Sequence, residues 1–122
     1  MSKIVCSVGF AALIGLAATG SAFAHAHLKS AVPAVNGTVD KAPTELDLTF
    51  TEDLNLKFSG VTVTGPDKAV VQTGTAMLME KNTVLMVPLS GTLGAGTYTV
   101  SWHALSGDGH KTNGSYKFTV KP

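Results

Sequence analysis

Cysteine is nearly absent from this sequence. The single cysteine, Cys6, lies in an N-terminal apolar segment, so the rest of the chain has no thiol. A domain without thiols forms no disulfide bond and offers no thiolate to a metal, which leaves nitrogen, oxygen and thioether ligands. A structural zinc site built on cysteines is therefore excluded.

Excess charge of one sign is also lacking. The chain carries nine Lys and Arg against eight Asp and Glu. Removal of an N-terminal segment containing Lys3 would leave eight of each. Binding to nucleic acid relies on a basic excess that displaces counterions from phosphates, so we expect no nucleic acid partner.

Long apolar runs are missing too, apart from one at the N-terminus over residues 10–18. This run is shorter than a membrane span, and it is followed by Ala22 and Ala24 in the Ala-x-Ala pattern that signal peptidases accept. The sequence therefore predicts a signal peptide over residues 1–24. The mature chain, residues 25–122, would begin at His25, would have no membrane span, and is long enough for one domain.

Alternating apolar residues predict an all-β domain. The alternation is clearest around residues 46–50, 54–58, 98–102 and 116–120, and weaker runs lie at 28–32, 61–64, 69–72, 76–79 and 83–88. Turn-forming residues separate these runs, and no helical period follows residue 24. Seven to nine short antiparallel strands at this spacing predict a two-sheet sandwich of Greek-key type.

Three residues form a candidate metal site. The predicted N-terminus, His25, can chelate a metal through its imidazole and its α-amino group, whose reference pKa is only about 7.7 to 8.0. Asp108 and His110 lie in a turn-rich loop, residues 106–114, between two strongly predicted strands. Together they offer an amine, two imidazoles and a carboxylate, a set that suits Cu(II). A terminal histidine that is simply solvated is the alternative for His25.

The other histidines are weaker candidates. His27 follows His25 by two residues and would point to the same side of a strand, so it is a further ligand candidate. A free terminus ending its first three residues in histidine also wraps Cu(II) by itself, without the loop. His103 is predicted on the face of its strand opposite the core, where a solvated side chain is expected.

Several segments resemble the CopC/PcoC family of periplasmic copper-resistance proteins. The resemblance spans the predicted mature chain and is carried by HAHLKSAVP at 25–33, LTFTEDL at 48–54, AGTYTVSW at 95–102, DGH at 108–110 and GSYKF at 114–118. It implies an immunoglobulin-like β-sandwich or barrel, Cu(II) held by His25, Asp108 and His110, and Glu52 near the metal. It also implies a periplasmic role in copper tolerance or supply, beside an inner-membrane CopD-like protein.

The methionine content departs from part of that family pattern. Members with a second, Cu(I) site have a loop crowded with methionines, the soft ligands that this ion prefers. Here Met77 and Met79 share one strand face and are the candidates, but methionine commonly fills core gaps. We therefore expect one Cu(II) site, with Met77 and Met79 in the core.

Two other functions are open to the same sequence. A copper oxygenase also uses an N-terminal histidine, but it needs an open coordination position, which Asp108 would fill, and a substrate platform, for which aromatic residues are scarce. A carbohydrate-binding or adhesion module of sandwich fold would give His25, Asp108 and His110 no shared role. Binding rather than catalysis is the reading these residues favour.

Overall fold

A computed structural model describes residues 26–122 and contains nine strands. The predicted signal peptide, with Cys6, and the predicted N-terminal His25 lie outside the described residues. The strands are β1 Leu28–Val32, β2 Thr38–Val39, β3 Glu45–Phe50, β4 Gly60–Thr64, β5 Val70–Val71, β6 Met77–Met79, β7 Val84–Pro88, β8 Gly96–Leu105 and β9 Lys111–Val120.

The strands form two sheets that pack as a sandwich. One sheet has the order β1-β3-β7-β6 and the other β2-β9-β8-β4-β5, so the chain crosses between sheets after β1, β2, β3, β5 and β7. Alternate residues point inward, as period-two patterning requires. The fully buried large side chains are Leu46, Leu48, Phe50, Val63, Leu85, Val100, Phe118 and Val120. The predicted all-β sandwich is confirmed.

The structure departs from the predicted strands at two places, and one of them is a wrong prediction. The alternation at residues 54–58 is not a strand: Leu54 makes a single bridge to Ser106, and Leu56–Phe58 forms a short 3-10 helix. Asn55 begins this helix, because its side chain accepts a hydrogen bond from the Lys57 amide at 3.0 Å. The second departure is β2, which the sequence did not predict and which pairs with β9 in parallel over two residues.

The β8–β9 hairpin is the longest pairing in the fold, with ten residues in each strand. Trp102 on β8 lies over Gly114 on β9, where an added Cβ would come within 2.7 Å of the indole, and its ring meets Phe50 edge-on at 5.2 Å. These contacts lock the hairpin onto the opposite sheet. Its tip, residues 106–110, is thereby held at one end of the sandwich.

Within residues 26–122 no helix is long and apolar enough to cross a membrane.

Candidate metal centre

The hairpin tip has a closed backbone. The Ser106 amide donates to the carbonyl of His110 at 3.0 Å, and the Gly109 amide donates to the carbonyl of Ser106 at 2.9 Å. Gly109 has a φ of +92°, a conformation that a residue without Cβ adopts at little cost. The turn therefore fixes Asp108 and His110 on either side of one glycine.

Asp108 and His110 contact each other directly. His110 Nδ1 lies 3.1 Å from Asp108 Oδ1, and the two side chains are 54% and 45% exposed, respectively. This half exposure lets a dissolved ion approach both groups while the turn holds them in place. The predicted pairing of these two residues is thus present in the fold.

Ser106 supports this pair and was not singled out from the sequence. The residue is 2% exposed, and its hydroxyl donates a short hydrogen bond to Asp108 Oδ1. The His110 amide donates to the same hydroxyl oxygen at 3.2 Å. Hydrogen bonds from Ser106 and then His110 hold the pKa of the Asp108 carboxyl below its usual value. Serine is an ordinary loop residue, so no pattern in the sequence marks it.

The start of the described chain is tied to the same end of the fold. Thr112 Oγ1 donates to the carbonyl of Ala26 at 2.7 Å, and the Ala26 side chain is completely buried. The His27 amide donates to Thr51 Oγ1 at 3.0 Å, and the Thr51 amide donates to the His27 carbonyl at 3.0 Å. The Ala26–His27 peptide group is therefore bonded through its carbonyl to β9 and through its amide to Thr51, the residue that follows β3.

Glu52 lies between two residues, Thr51 and Asp53, whose backbone groups form hydrogen bonds at this end of the fold. Thr51 before it is bonded to His27, and the carbonyl of Asp53 after it accepts from the Gly107 amide at 3.0 Å. The exposed Asp53 side chain lies against Gly107, because an added Cβ there would come within 2.6 Å of Asp53 Oδ2. The half-buried Glu52 is thus at the same end of the sandwich as Asp108 and His110.

The two remaining described histidines are exposed. His27 borders an open groove between β1 and β9 that also includes Trp102 and Thr112. His103 is on the outer face of its sheet, as predicted, with its imidazole over Gly60. Among residues 26–122, no three His, Cys, Asp or Glu side chains are grouped so that they could hold a metal on their own.

Met77 and Met79 are not in the core, and that expectation is wrong. They are 47% and 36% exposed on β6, the edge strand of its sheet. They share one face, and Met77 is directly opposite Met86 on β7. The inward position of this short strand is taken by Leu78, so both methionines face outward.

Comparison with known proteins identifies the family. The CopC domain matches residues 28–121. "Protein YobA" of Escherichia coli K12 is 46% identical over 104 residues, covering 84% of each chain. "Copper resistance protein C" of Escherichia coli is 40% identical over 113 residues, covering 83% of this chain and 85% of that protein.

A solved structure and a longer relative extend the comparison. The crystal structure of PcoC, described as a methionine-rich copper resistance protein from Escherichia coli, has a TM-score of 0.71 at 37% identity, covering 80% of this chain and all of PcoC. "Copper transport protein CutJ" of Bacillus subtilis is 27% identical over 101 residues, covering 82% of this chain but 19% of CutJ. The chain belongs to the CopC family and is a copper-binding protein of the copper-resistance type.

Proposed function

We propose that this protein holds Cu(II) between its mature N-terminus and the hairpin tip, with His25, Asp108 and His110 as ligands. The observation that carries the proposal is the hydrogen bond from Thr112 to the carbonyl of Ala26. Ala26 follows His25 directly, and Thr112 follows His110 by two residues, about 7 Å of strand. We therefore expect the α-amine and imidazole of His25 to reach the tip.

The proposed ligand set includes His25 because the described residues alone provide too few ligands for a copper ion. Asp108 and His110 supply two groups, and no third His, Cys, Asp or Glu within residues 26–122 is grouped with them. His25 supplies two more from a single residue, which costs less ordering than two separate ligands. Three nitrogens and one carboxylate oxygen match the preference of Cu(II) for a tetragonal site.

The contact between Asp108 and His110 supports Nε2 of His110 as the ligating nitrogen. A hydrogen bond from Nδ1–H of His110 to Asp108 Oδ1 leaves Nε2 as the nitrogen that carries the lone pair. The same bond orients the ring and raises its basicity, as carboxylates do beside many metal-bound histidines. Glu52 and His27 then serve as outer ligands or hydrogen-bond partners. Met77 and Met79, although exposed, form no part of this single Cu(II) site.

The role that follows is binding and transfer in the periplasm. The half-exposed tip lets a partner displace the ligands one at a time, so the protein buffers copper or passes it on. The CutJ comparison supports a partner that transports copper, because a segment similar to this chain makes up about a fifth of a copper transport protein. We expect the corresponding partner here to be a CopD-like inner-membrane protein.

The experiment compares the protein beginning at His25 with one that carries a Gly-Ser extension before it. The extension converts the α-amine into an amide and removes its chelate ring. We expect electron paramagnetic resonance of the native-start protein with one equivalent of Cu(II) to report a tetragonal site with three nitrogens. The extended protein should lose a nitrogen and bind Cu(II) orders of magnitude more weakly in competition with a chelator.

His27→Ala in the native-start protein is the matched control, and it should cost less than the extension. Equal affinity of the extended and native-start proteins would remove His25 from the site. Loss of binding in His27→Ala but not in His110→Ala would instead place copper in a wrap formed by the first three residues.

A further inference from the structure

The 3-10 helix Leu56–Phe58 exposes two large apolar side chains. Leu56 is 39% exposed and Phe58 is 52% exposed, and no residue of the helix is buried. The segment therefore contributes little to the core. Exposed apolar surface that is rimmed by polar residues can mark a binding site.

This segment is held rigidly despite its exposure. The Asn55 amide donates to the carbonyl of Leu105 at 2.8 Å, and the Leu105 amide donates to the Ser59 hydroxyl at 3.0 Å. That hydroxyl in turn donates to the carbonyl of Asn55 at 2.8 Å. Both ends of the helix are thus fixed to the last residue of β8, which precedes the hairpin tip. A rigid apolar surface loses little entropy when a partner binds.

Phe58 forms one wall of a groove of about 360 Å³ whose lining is basic. The groove is lined by Lys57, Phe58, His103, Ala104, Lys111 and Asn113, none of which is a carboxylate. Lys57 Nζ lies 5.6 Å from the centroid of the Phe58 ring. Lys111 follows His110 in the chain, so the groove borders the candidate copper ligands.

We propose that this basic groove, defined by the six lining residues above, docks an acidic segment of a protein partner. The two lysines would pair with its carboxylates, and Phe58 would contact an apolar side chain between them. A protein segment is favoured over an anionic membrane, because a flat bilayer surface would not fill a concave groove. That this partner exchanges copper with the site rests on the proposed function; the docking itself does not.

The test uses the copper-free protein and a defined probe. The probe is a blocked peptide of alternating glutamate and leucine, and its counterpart has glutamine at every glutamate. In amide NMR titrations we expect the acidic peptide to shift the resonances of residues 56–58, 103 and 111. Its binding should weaken when ionic strength rises from about 0.01 to 0.1 M, since the Debye screening length falls from about 30 to 10 Å. The glutamine peptide should bind at least about fivefold more weakly.

Variants distinguish binding in the groove from a general effect of the charge of the protein. Phe58→Ala and the double variant Lys57→Gln, Lys111→Gln should each weaken the acidic peptide at least about fivefold. Lys117→Gln is the matched control, because Lys117 is on β9 but borders a different groove, with Lys68. It should leave binding unchanged.

Three results would overturn the proposal: shifts outside the groove, equal weakening by Lys117→Gln, or binding to phosphatidylglycerol vesicles without binding to the peptide. Concentration-dependent self-association that requires Phe58 would likewise replace the partner by a second copy. None of these outcomes affects the copper proposal, which is tested by Cu(II) binding to the native-start protein.

Discussion

Thr112 donates a hydrogen bond from Oγ1 to the carbonyl of Ala26 at 2.7 Å, across 86 residues of sequence. One end of this bond is the first described residue of the chain, and the other is the second residue of β9. The bond joins the segment after His25 to the strand that leaves the hairpin tip. Its importance for copper can be measured without altering any proposed ligand.

Thr112→Val should weaken Cu(II) binding by about 2–10-fold. The variant keeps the shape of the side chain but loses one neutral hydrogen bond, whose net value is about 0.5–1.5 kcal/mol. Thr119→Val is the control, because it removes the bond between Thr97 and Thr119 at the far end of the same hairpin. Chelator competition should separate the two variants, and equal losses would mean that the Ala26 anchor has no special role.

His110→Ala should weaken Cu(II) binding by orders of magnitude and leave the apo melting temperature nearly unchanged. The reason is that His110 is half exposed and fills no core space. Asp108→Asn should cost less, since an amide oxygen can still accept the bond from His110. Titration of each variant with Cu(II), followed by thermal unfolding of the apo forms, provides the check. Unchanged affinity in His110→Ala would move the copper away from the tip.

Ser106→Ala should raise the pKa of Asp108 toward its usual value, because the Ser106 hydroxyl is the largest cause of its lowering. A lowered folded-state pKa contributes stability above the unfolded pKa, and this contribution is lost as pH falls through the folded value. The variant should therefore have less of this stability at neutral pH, and its smaller loss on acidification should be complete at a higher pH than in the parent. Carboxyl carbon NMR of the apo protein measures the pKa directly.

Ser106→Ala should also weaken Cu(II) binding about 10–100-fold, the usual effect of removing a partner that orients a ligand. Ser115→Ala, at an exposed position on β9, is the matched control and should have no effect. An unchanged Asp108 titration in Ser106→Ala would contradict the assigned role of this hydroxyl.

Cu(II) should quench the emission of Trp102, the single tryptophan, with one equivalent. Trp102 lies four residues of strand before the tip, about 13 Å at 3.3 Å per residue. Binding should also stabilise the fold, by about 2.7 kcal/mol at a free copper concentration one hundred times Kd. Trp102→Phe should bind copper with similar affinity and give no signal. If copper changes neither the tryptophan emission nor the melting temperature, the folded domain is not the species that binds it.

The fold was largely predictable because period-two patterning is strong where one strand face is buried. Leu46, Leu48 and Phe50 alternate and are all in the core. The same reasoning failed at Leu56 and Phe58, where the chain forms a 3-10 helix and the Lys57 amide bonds to the Asn55 side chain instead of to a neighbouring strand. It also failed at Met77 and Met79, because a short edge strand exposes the face that alternation alone leaves undecided.

In the candidate site, the proximity of Asp108 and His110 was predictable from the sequence, and the hydrogen bonds that support them were not. Asp108 and His110 are in one turn, so their sequence spacing already places them together. Ser106 and Thr112 act through single hydroxyl groups, and Thr112 bonds to a residue far away in the sequence. Such bonds depend on how the sheets meet, which no local spacing encodes.

Ala26, the second residue of the predicted mature chain, is completely buried, so the size of its side chain affects where the N-terminal segment lies. Only a methyl group occupies this buried position, and a larger side chain would move the backbone before β1 away from Thr112. In the proposed site, the size of this side chain would then affect how closely the His25 amine approaches the hairpin tip. Ala26→Gly would make the backbone at this position more flexible, and Ala26→Leu would displace it from Thr112. We expect both variants to change the copper affinity, although residue 26 is not a proposed ligand.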